Sequence, residues 1–274
     1  MLVELFVPTF NSARTLRRCL DSIYLSVPDV EVTVIDKYSI DGTVNIVREY
    51  PVRLVQNDMN IAEARTFMFH NAKEDWFFMI DCDAYVSPAW YKDVMFWRDK
   101  LLKEEPKTAL LVSHIIEKPT VTDAELKVKI ERFLAWKEQS LVFPDKNVGR
   151  PNTCVSLVRR SAVCQYSYNV PCYEDYVLGK HLREKGWVCW AVDAQIEHDE
   201  LLDRERLKRR CRVVGASMKL TGERDFWNLL AAGYYTPLFR APWGLKRFVW
   251  GIYGEYVHGF THAEEYGGLA WNIN

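Results

Sequence analysis

The sequence has no apolar run long enough to cross a membrane. Its longest uncharged stretch, residues 226–239, includes Asn, Gly, Thr and Pro, whereas a membrane-spanning helix needs about 20 predominantly apolar residues. The chain also opens on a predicted strand, residues 2–7, where a secretory leader would carry a basic segment followed by an apolar one. We therefore expect a cytoplasmic protein.

Paired cysteine motifs are also absent. The seven cysteines form no Cys-x-x-Cys pair. An odd count without a leader indicates mostly reduced thiols, as in a cytosolic compartment. Whether Cys154 and Cys172 pair stays open at this stage.

Excess charge of one sign is missing from the chain as a whole but not from its parts. The 36 Lys and Arg nearly balance the 37 Asp and Glu, and we expect no nucleic acid polymer as a partner. Residues 201–250, however, carry 11 basic and 4 acidic residues, and they precede an aromatic-rich tail. This basic segment predicts an anionic partner surface for the C-terminal part.

Short apolar runs and amphipathic stretches alternate over the first third of the chain. Strands are predicted at 2–7, 30–35, 52–55 and 76–80, with helices between them at 12–24, 43–50 and 61–71. Ser12 is predicted to cap the first helix, and residues 84–100 are predicted to be helical. The rhythm predicts an α/β fold with a mostly parallel, Rossmann-like sheet flanked by helices.

The pattern changes near residue 200. Residues 1–200 are predicted to form the α/β domain, and residues 201–274 a helical C-terminal extension. Within the extension, 204–212 is a basic helix candidate, and apolar residues recur at helical spacing over 245–260. Two interpretations stay open for this extension: packing within the protein or an oligomer, and peripheral contact with a membrane through 204–260.

Two aspartates separated by one residue follow the apolar run 76–80, which predicts a buried strand. They are Asp81 and Asp83, on either side of Cys82. Ligands of open α/β sheets bind at the carboxyl ends of the strands, and carboxylate oxygens suit Mg²⁺ or Mn²⁺ shared with substrate phosphates. A lone Asp-x-Asp also occurs by chance as a loop cap, so its context decides.

That context is a set of polar clusters at other predicted strand ends or at the helix starts that follow them. The clusters are Pro8-Thr9-Phe10-Asn11, Asp36, Ser39-Ile40-Asp41-Gly42-Thr43 and Asn60-Ile61-Ala62-Glu63-Ala64-Arg65. Because the carboxyl ends of parallel strands share one edge of a sheet, these clusters are predicted to meet at one crevice.

This ordered set resembles the inverting glycosyltransferases of family 2, which have the GT-A fold. The resemblance covers about residues 2–198 and includes Tyr173-Glu174-Asp175 and Gly186-Trp187 downstream. Lys37 and Tyr38 stand where the family usually has Asp-Gly. The tail over 248–268 is similar to the close of bacterial and archaeal members that build lipid-linked or envelope glycans.

The resemblance implies a role for each motif residue. The nucleotide-sugar set would comprise Pro8, Thr9, Asn11, Asp36, Arg65, Asp81 and Cys82. Asp83 would bind the metal, with Asp81 beside it and His198 as a second protein ligand. Asp175 would be the general base, with Glu174 next to it in the catalytic pair.

Simpler structural roles are the alternatives for five of these residues. Asp36 caps the next helix in one alternative, and Arg65 pairs with Glu63 or Glu49 on the surface in another. The Glu174-Asp175 pair is then only favourable charge at a helix N-terminus, and His198 an ordinary loop histidine.

The resemblance implies a transferase that uses Mn²⁺ or Mg²⁺ and moves a sugar, with inversion, from a UDP- or GDP-linked donor to a glycan or lipid-linked acceptor. It would work in the cytoplasm or on the cytoplasmic face of a membrane. Same-fold alternatives are a polyprenyl-phosphate sugar synthase and a retaining transferase. A non-catalytic protein that binds sugar nucleotides or glycans is the alternative of a different class.

Overall fold

The computed structural model describes residues 2–138, 143–146, 151–168, 174–222 and 242–266. These divide into two compact units. The first takes its described residues from Met1–Lys118, Val142–Asn169 and Glu174–Glu200, and the second from Pro119–Leu141 and Leu201–Asn274.

A nine-stranded sheet forms the centre of the first unit within the described residues. Its strands lie in the order β3-β2-β1-β4-β9-β6-β10-β5, and β8 pairs with β10. The strands, numbered in chain order, are β1 (Val3–Thr9), β2 (Val30–Asp36), β3 (Arg53–Gln56), β4 (Trp76–Ile80), β5 (Ala84–Val86), β6 (Thr108–Glu117), β8 (Asp145–Lys146), β9 (Val155–Arg159) and β10 (Val188–His198). The strands β7 (Thr120–Val121) and β11 (Leu201–Leu202) belong to the second unit.

Helices flank this sheet and complete the predicted α/β fold, which is confirmed. They are α1 (Leu16–Ser26), α2 (Thr43–Val47), α3 (Ile61–Asn71), α4 (Trp90–Glu104), α6 (Arg160–Val163) and α7 (Glu174–Glu184). The four strands β3, β2, β1 and β4 are parallel, whereas β9 runs antiparallel to both of its neighbours. The sheet as a whole is therefore mixed.

Apolar residues of the central strands pack alternately into two cores. Phe78 and Ile80 of β4 belong to one buried cluster, and Phe77 and Met79 belong to the other. Successive side chains of a strand point to opposite faces, so a continuous apolar run is what a strand covered on both faces requires.

Several predicted boundaries are wrong, among them the end of the second helix, which is at Val47 rather than residue 50. The helix α1 begins at Leu16 with Thr15 at its N-cap, because Ser12 belongs to the loop before it and its hydroxyl bonds the Phe10 carbonyl instead. Residues 84–86, predicted as helix, form β5, which pairs antiparallel with the end of β10. A three-residue strand is too short for its periodicity to distinguish it from a helix.

The second unit is mainly helical. Its elements are β7 (Thr120–Val121), α5 (Ala124–Glu138), β11 (Leu201–Leu202), α8 (Arg204–Leu220), α9 (Trp243–Thr261) and α10 (Ala263–Tyr266). The helices α8 and α9 approach closely at two glycines: a Cβ on Gly215 would overlap the carbonyl of Tyr256, and one on Gly259 the carbonyl of Arg212. Among the described residues, none of the helices combines the length and apolarity that crossing a bilayer requires.

Candidate functional site

The loops that follow β1 and β2 are joined by hydrogen bonds at the carboxyl edge of the sheet. The backbone N–H of Asn11 donates to Ser39 Oγ at 2.8 Å, and Asn11 Oδ1 accepts from the Ile40 N–H at 3.0 Å. Asn11 has φ +48°, a left-handed conformation that asparagine tolerates better than most residues. Ser12 is tied in as well, through its N–H to Thr43 Oγ1 at 2.7 Å.

Asp36 lies fully buried at the end of β2, opposite Thr9 of β1 in the parallel register. Its carboxylate accepts from the Ser39 N–H at 3.0 Å and from Gln56 Nε2 at 3.0 Å. The interpretation of Asp36 as a helix cap is wrong, because Gly42 occupies the N-cap of α2 and Asp41 accepts from the Thr43 N–H.

Arg65 connects three carboxylates. It is only 4% exposed, and its guanidinium bonds Glu174, lies 3.2 Å from Asp175 Oδ1 and 3.4 Å from Asp81 Oδ1. Surface pairing of Arg65 with Glu63 or Glu49 is therefore wrong. The structure thus brings together the aspartate after β4 and the acidic pair that opens α7.

Asp175 has two further donors besides Arg65. The hydroxyl of Thr153 donates to Asp175 Oδ1, and the Thr153 N–H does so at 3.3 Å. Thr153 is fully buried, which ties the first turn of α7 to the residue two positions before β9. These contacts hold the carboxylate in one orientation.

His198 lies at the end of β10, beside Asp83. The antiparallel pairing of β10 with β5 sets His198 opposite Ala84, so the neighbouring Asp83 comes within reach. Its Nε2 is 3.4 Å from Asp83 Oδ1, and its Nδ1 is 2.7 Å from Glu117 Oε2. The parallel register of β10 with β6 sets Glu117 opposite His198, so His198 is not a histidine of a loose loop.

Five acidic side chains contact two basic ones, Arg65 and His198, in this cluster. Burial lowers the pKa of His198, but its bonds to Asp83 and Glu117 prevail and raise that pKa to about 10. For Asp81, burial and the nearby Asp83 outweigh the attraction of Arg65 and raise the pKa to about 7. Negative charge at this edge is therefore incompletely compensated within the described residues.

Cysteine thiols border the acids. Sγ of Cys154, one oxygen of Asp83 and one imidazole nitrogen of His198 lie within 4.8 Å of one another. Burial and nearby carboxylates raise the pKa of Cys154 well above its usual range, which leaves it a weak ligand. Cys82 donates from its thiol to Ser12 Oγ at 3.0 Å.

The six cysteines among the described residues are free thiols in the structure. Cys172 lies outside the described residues. The question whether Cys154 and Cys172 pair therefore lies outside the described residues.

The residues singled out from the sequence fall into two connected groups and a separate loop set. One group is Arg65 with Asp81, Glu174 and Asp175, and the other is Asp83 with His198. Glu117 and Thr153 were not among the sequence-based candidates. An acidic residue directly after the apolar run 109–116 is the signal that could have found Glu117.

A family model matches the N-terminal part of the chain. The model of glycosyl transferase family 2 covers residues 4–164, more than half of the chain. The chain belongs to glycosyl transferase family 2. A search of the curated proteins found no significant match.

Solved structures of similar fold include three glycosyltransferases. S. aureus TarS is 14% identical with a TM-score of 0.55, and the match covers 97% of this chain and 55% of that one. Mannosyltransferase PcManGT from Pyrobaculum calidifontis, in complex with GDP-Man and Mn²⁺, is 18% identical with a TM-score of 0.57 and coverages of 96% and 73%. This chain thus spans about half the length of TarS.

The third is glucosyl-3-phosphoglycerate synthase from Mycobacterium tuberculosis, in complex with Mn²⁺, UDP and glucosyl-3-phosphoglycerate. It is 18% identical with a TM-score of 0.56, and the match covers 82% of this chain and 81% of that one. At these identities the likeness establishes the GT-A fold.

One departure of this family 2 member from the usual motif has a structural consequence. Tyr38, where the family usually has Gly, adopts φ +52° and is 57% exposed. The left-handed region costs a residue other than Gly roughly 1–2 kcal/mol. The loop after β2 therefore keeps the backbone shape that Gly would adopt freely.

Proposed function

We propose that this chain is a metal-dependent, inverting glycosyltransferase that takes its sugar from a nucleotide-diphosphate donor. The observation that carries the proposal is the convergence of Asp81, Asp83, Asp175 and His198 at one edge of the sheet. Three separated segments of the chain contribute these four residues. A capping or packing role for each residue alone leaves their convergence unexplained.

Asp175 is the proposed general base. An acceptor hydroxyl that attacks the anomeric carbon must lose its proton, and a positioned carboxylate accepts it. Thr153 and Arg65 support this role because they hold one carboxylate oxygen, Oδ1, and fix the orientation of the group. Glu174 shares Arg65 with Asp175 and is proposed to position that guanidinium.

Asp83 and His198 are the proposed protein ligands of a divalent cation, with Asp81 beside them. The donor chemistry fits, because a carboxylate suits Mg²⁺ and Mn²⁺ whereas an imidazole favours the later transition metals. This mixed set, together with the Mn²⁺ in the PcManGT complex, supports Mn²⁺ over Mg²⁺. When bound, such a cation stabilises negative charge on a departing diphosphate.

The nucleotide is proposed to lie along the loops after β1 and β2. Pro8, Thr9, Asn11 and Asp36 all lie at these strand ends, and Cys82 borders the same loops through Ser12. Arg65 is proposed to act on the donor through Asp81, since its guanidinium already bonds carboxylates. UDP, as in the TarS complex, and GDP-linked donors are both candidates.

A glycan or lipid-linked saccharide is the proposed acceptor. The enzyme is proposed to work in the cytoplasm or peripherally on the cytoplasmic face of a membrane. The exposed Trp243 and Trp250 of α9 support the peripheral location. The apolar residues that recur over 245–260, for which packing and membrane contact were both open, do not support it, because Leu245, Val249 and Phe260 are buried in the protein.

The test is a screen of UDP- and GDP-sugars for turnover with Mn²⁺ and with Mg²⁺, followed by analysis of the product's anomeric configuration. We expect turnover with either UDP- or GDP-sugars and a product with inverted anomeric configuration. Asp83→Ala should lose turnover, while its fold in the absence of donor stays unchanged. Asp99→Ala, an exposed aspartate on α4, is the matched control.

Other outcomes would replace parts of the proposal. A retained anomeric configuration would assign the retaining mechanism, and exclusive use of bare polyprenyl phosphate would assign a polyprenyl-phosphate sugar synthase. Saturable binding of a nucleotide sugar without turnover on any acceptor, unchanged by Asp175→Asn, would indicate a non-catalytic binding protein. Equal turnover of Asp83→Ala with full metal dependence would exclude Asp83 as a ligand.

A further inference from the structure

The second unit contains a cavity of about 430 Å³ between the helices α5, α8 and α9. Its apolar wall is formed by Leu126, Leu207, Phe248 and Ile252. Small-molecule sites are typically clefts of roughly 300–1,000 Å³ lined mostly by apolar groups. The cavity therefore has the size and lining of a ligand site.

Two glycines create this space. Gly244 and Gly251 lie seven residues apart, on the same face of α9, and both line the cavity. A Cβ added to either would meet no atom within 4 Å. This is the opposite of Gly215 and Gly259, where an added Cβ would overlap the facing backbone. Because the two glycines have no side chains, this face of α9 borders a cavity instead of packing against another helix.

The polar wall of the cavity is mostly basic. Four cationic residues line it, and Glu255 is the one acid among the lining residues, where it bonds Arg212 at 2.6 Å. The cationic residues are Lys129, Arg204, Lys208 and Arg247. Apolar lining and cationic polar groups are complementary to a molecule with an apolar chain and an anionic head.

Arg247 is the cation best placed to meet a negative head. Lys208 pairs with Glu205 at 2.8 Å, while Lys129 and Arg204 share Glu125. Arg247 is exposed and pairs with no acid in the part of the chain that the structure describes. Its charge is thus available to a ligand.

The face of α9 next to the cavity carries exposed aromatics. Trp243 is 87% exposed and Trp250 52%, and Lys246 places its Nζ 4.0 Å from the centre of the Trp243 ring. Their spacing of three and seven residues puts them on one side of the helix, adjacent to Arg247. Tryptophan and basic residues together are typical of helices that lie in a membrane interface.

We propose that this cavity binds one phosphate-headed lipid drawn from a membrane surface. The chain of the lipid lies against the apolar wall, and its phosphate meets Arg247. The proposal rests on the peripheral membrane part of the proposed function, and it does not depend on the sugar-transfer chemistry.

Binding of a soluble probe tests the cavity directly. Dodecyl phosphate below its micelle concentration is titrated into the full chain by calorimetry. We expect saturable binding that Gly251→Leu weakens about tenfold or more, because the new side chain fills the cavity without a clash at its Cβ. Gly254→Leu is the matched control, since Gly254 has equally open surroundings on the same helix but does not line the cavity.

A second pair of variants tests the head group. Arg247→Gln is expected to weaken dodecyl phosphate binding about tenfold or more, since a charge-assisted hydrogen bond is lost. Lys219→Gln removes the same charge from α8 away from the cavity and is expected to change nothing. Dodecyl maltoside and inorganic phosphate serve as probes of chain and head alone, and both are expected to bind at least tenfold more weakly.

Several results would overturn the proposal. These are absence of saturable binding, equal weakening by Gly254→Leu, or equally tight binding of dodecyl maltoside or inorganic phosphate. Co-sedimentation with phosphatidic acid and phosphatidylcholine vesicles is measured in parallel. Vesicle binding that survives Gly251→Leu while probe binding falls supports the cavity and assigns membrane contact to the exposed Trp face. Loss of sugar turnover alone concerns the proposed function and leaves the cavity result standing.

Discussion

The two units of this chain differ in what determines how their segments pack. In the first, the register of the strands brings charged side chains into contact, as where His198 meets Asp83 and Glu117. In the second, glycines decide the packing: Gly215 and Gly259 bring two helices together, whereas Gly244 and Gly251 leave a space. The first unit therefore holds charged groups in defined contacts, whereas the second encloses a cavity. Substitutions should affect the two units differently.

The largest effect is expected for Asp175→Asn. The amide keeps the size of the side chain but removes the proposed base, so transfer should fall by about 10²–10⁴-fold. Donor affinity, measured by calorimetry, should stay within about twofold of the original protein. Collapse of donor affinity with a normal residual rate of transfer would instead make Asp175 a donor ligand.

The next effect concerns the carboxylate behind His198. Groups that orient a ligating histidine typically contribute 10–100-fold to metal affinity, and Glu117 Oε2 lies 2.7 Å from His198 Nδ1. Glu117→Gln should weaken Mn²⁺ binding, measured by calorimetry or electron paramagnetic resonance, by about that factor. The control is Glu197→Gln, on the residue before His198, whose carboxylate binds Arg18 and Lys118. Equal loss in both variants would make the effect a general one of charge.

A pair of alanine substitutions on α9 sharpens the contrast within the second unit. Gly259→Ala forces α8 and α9 apart and should destabilise their contact by about 1–3 kcal/mol. Gly251→Ala meets open space and should stabilise α9 by roughly 0.5–1 kcal/mol, since alanine is the better helix former. Hydrogen exchange of the α8 and α9 amides measures both. Shifts of the same sign would show that the two glycines are equivalent after all.

The smallest effect is expected in the loop after β2. Tyr38→Gly removes a left-handed strain of roughly 1–2 kcal/mol, partly offset by the 0.5–1 kcal/mol that a flexible glycine costs on folding. A net gain of at most about 1.5 kcal/mol should appear in urea unfolding. Tyr38→Ala keeps the strain, lacks the ring, and serves as the control. Loss of stability in the glycine variant alone would mean that the Tyr38 backbone is not strained.

Local pattern was sufficient for much of the first unit. The alternation of apolar runs and amphipathic stretches predicted the parallel strands β1 to β4, because period-2 and period-3.6 burial are properties of short segments. It failed at Ala84–Val86, where three residues become a strand only because the end of β10 offers them hydrogen-bonding partners.

The residues of the candidate site also divide into those that local sequence pattern predicted and those that it did not. Asp83 and Asp175 were found as motif residues at the end of a strand and the start of a helix. Glu117, which bonds His198, and Thr153, which bonds Asp175, were not found, because no spacing in the sequence relates position 117 to 198 or 153 to 175. Those relations come from the pairing of β6 with β10 and from the contact of the first turn of α7 with the residues that precede β9.

The sequence by itself therefore determined which segments are strands and helices, and which chemical groups stand at their ends. The tertiary structure decided which of those ends meet: His198 beside Asp83, Arg65 among three carboxylates, and Gly251 facing a cavity while Gly259 faces a helix. The physical reason is range. Propensity and periodicity act over a few residues, whereas strand register and helix packing join groups more than a hundred positions apart.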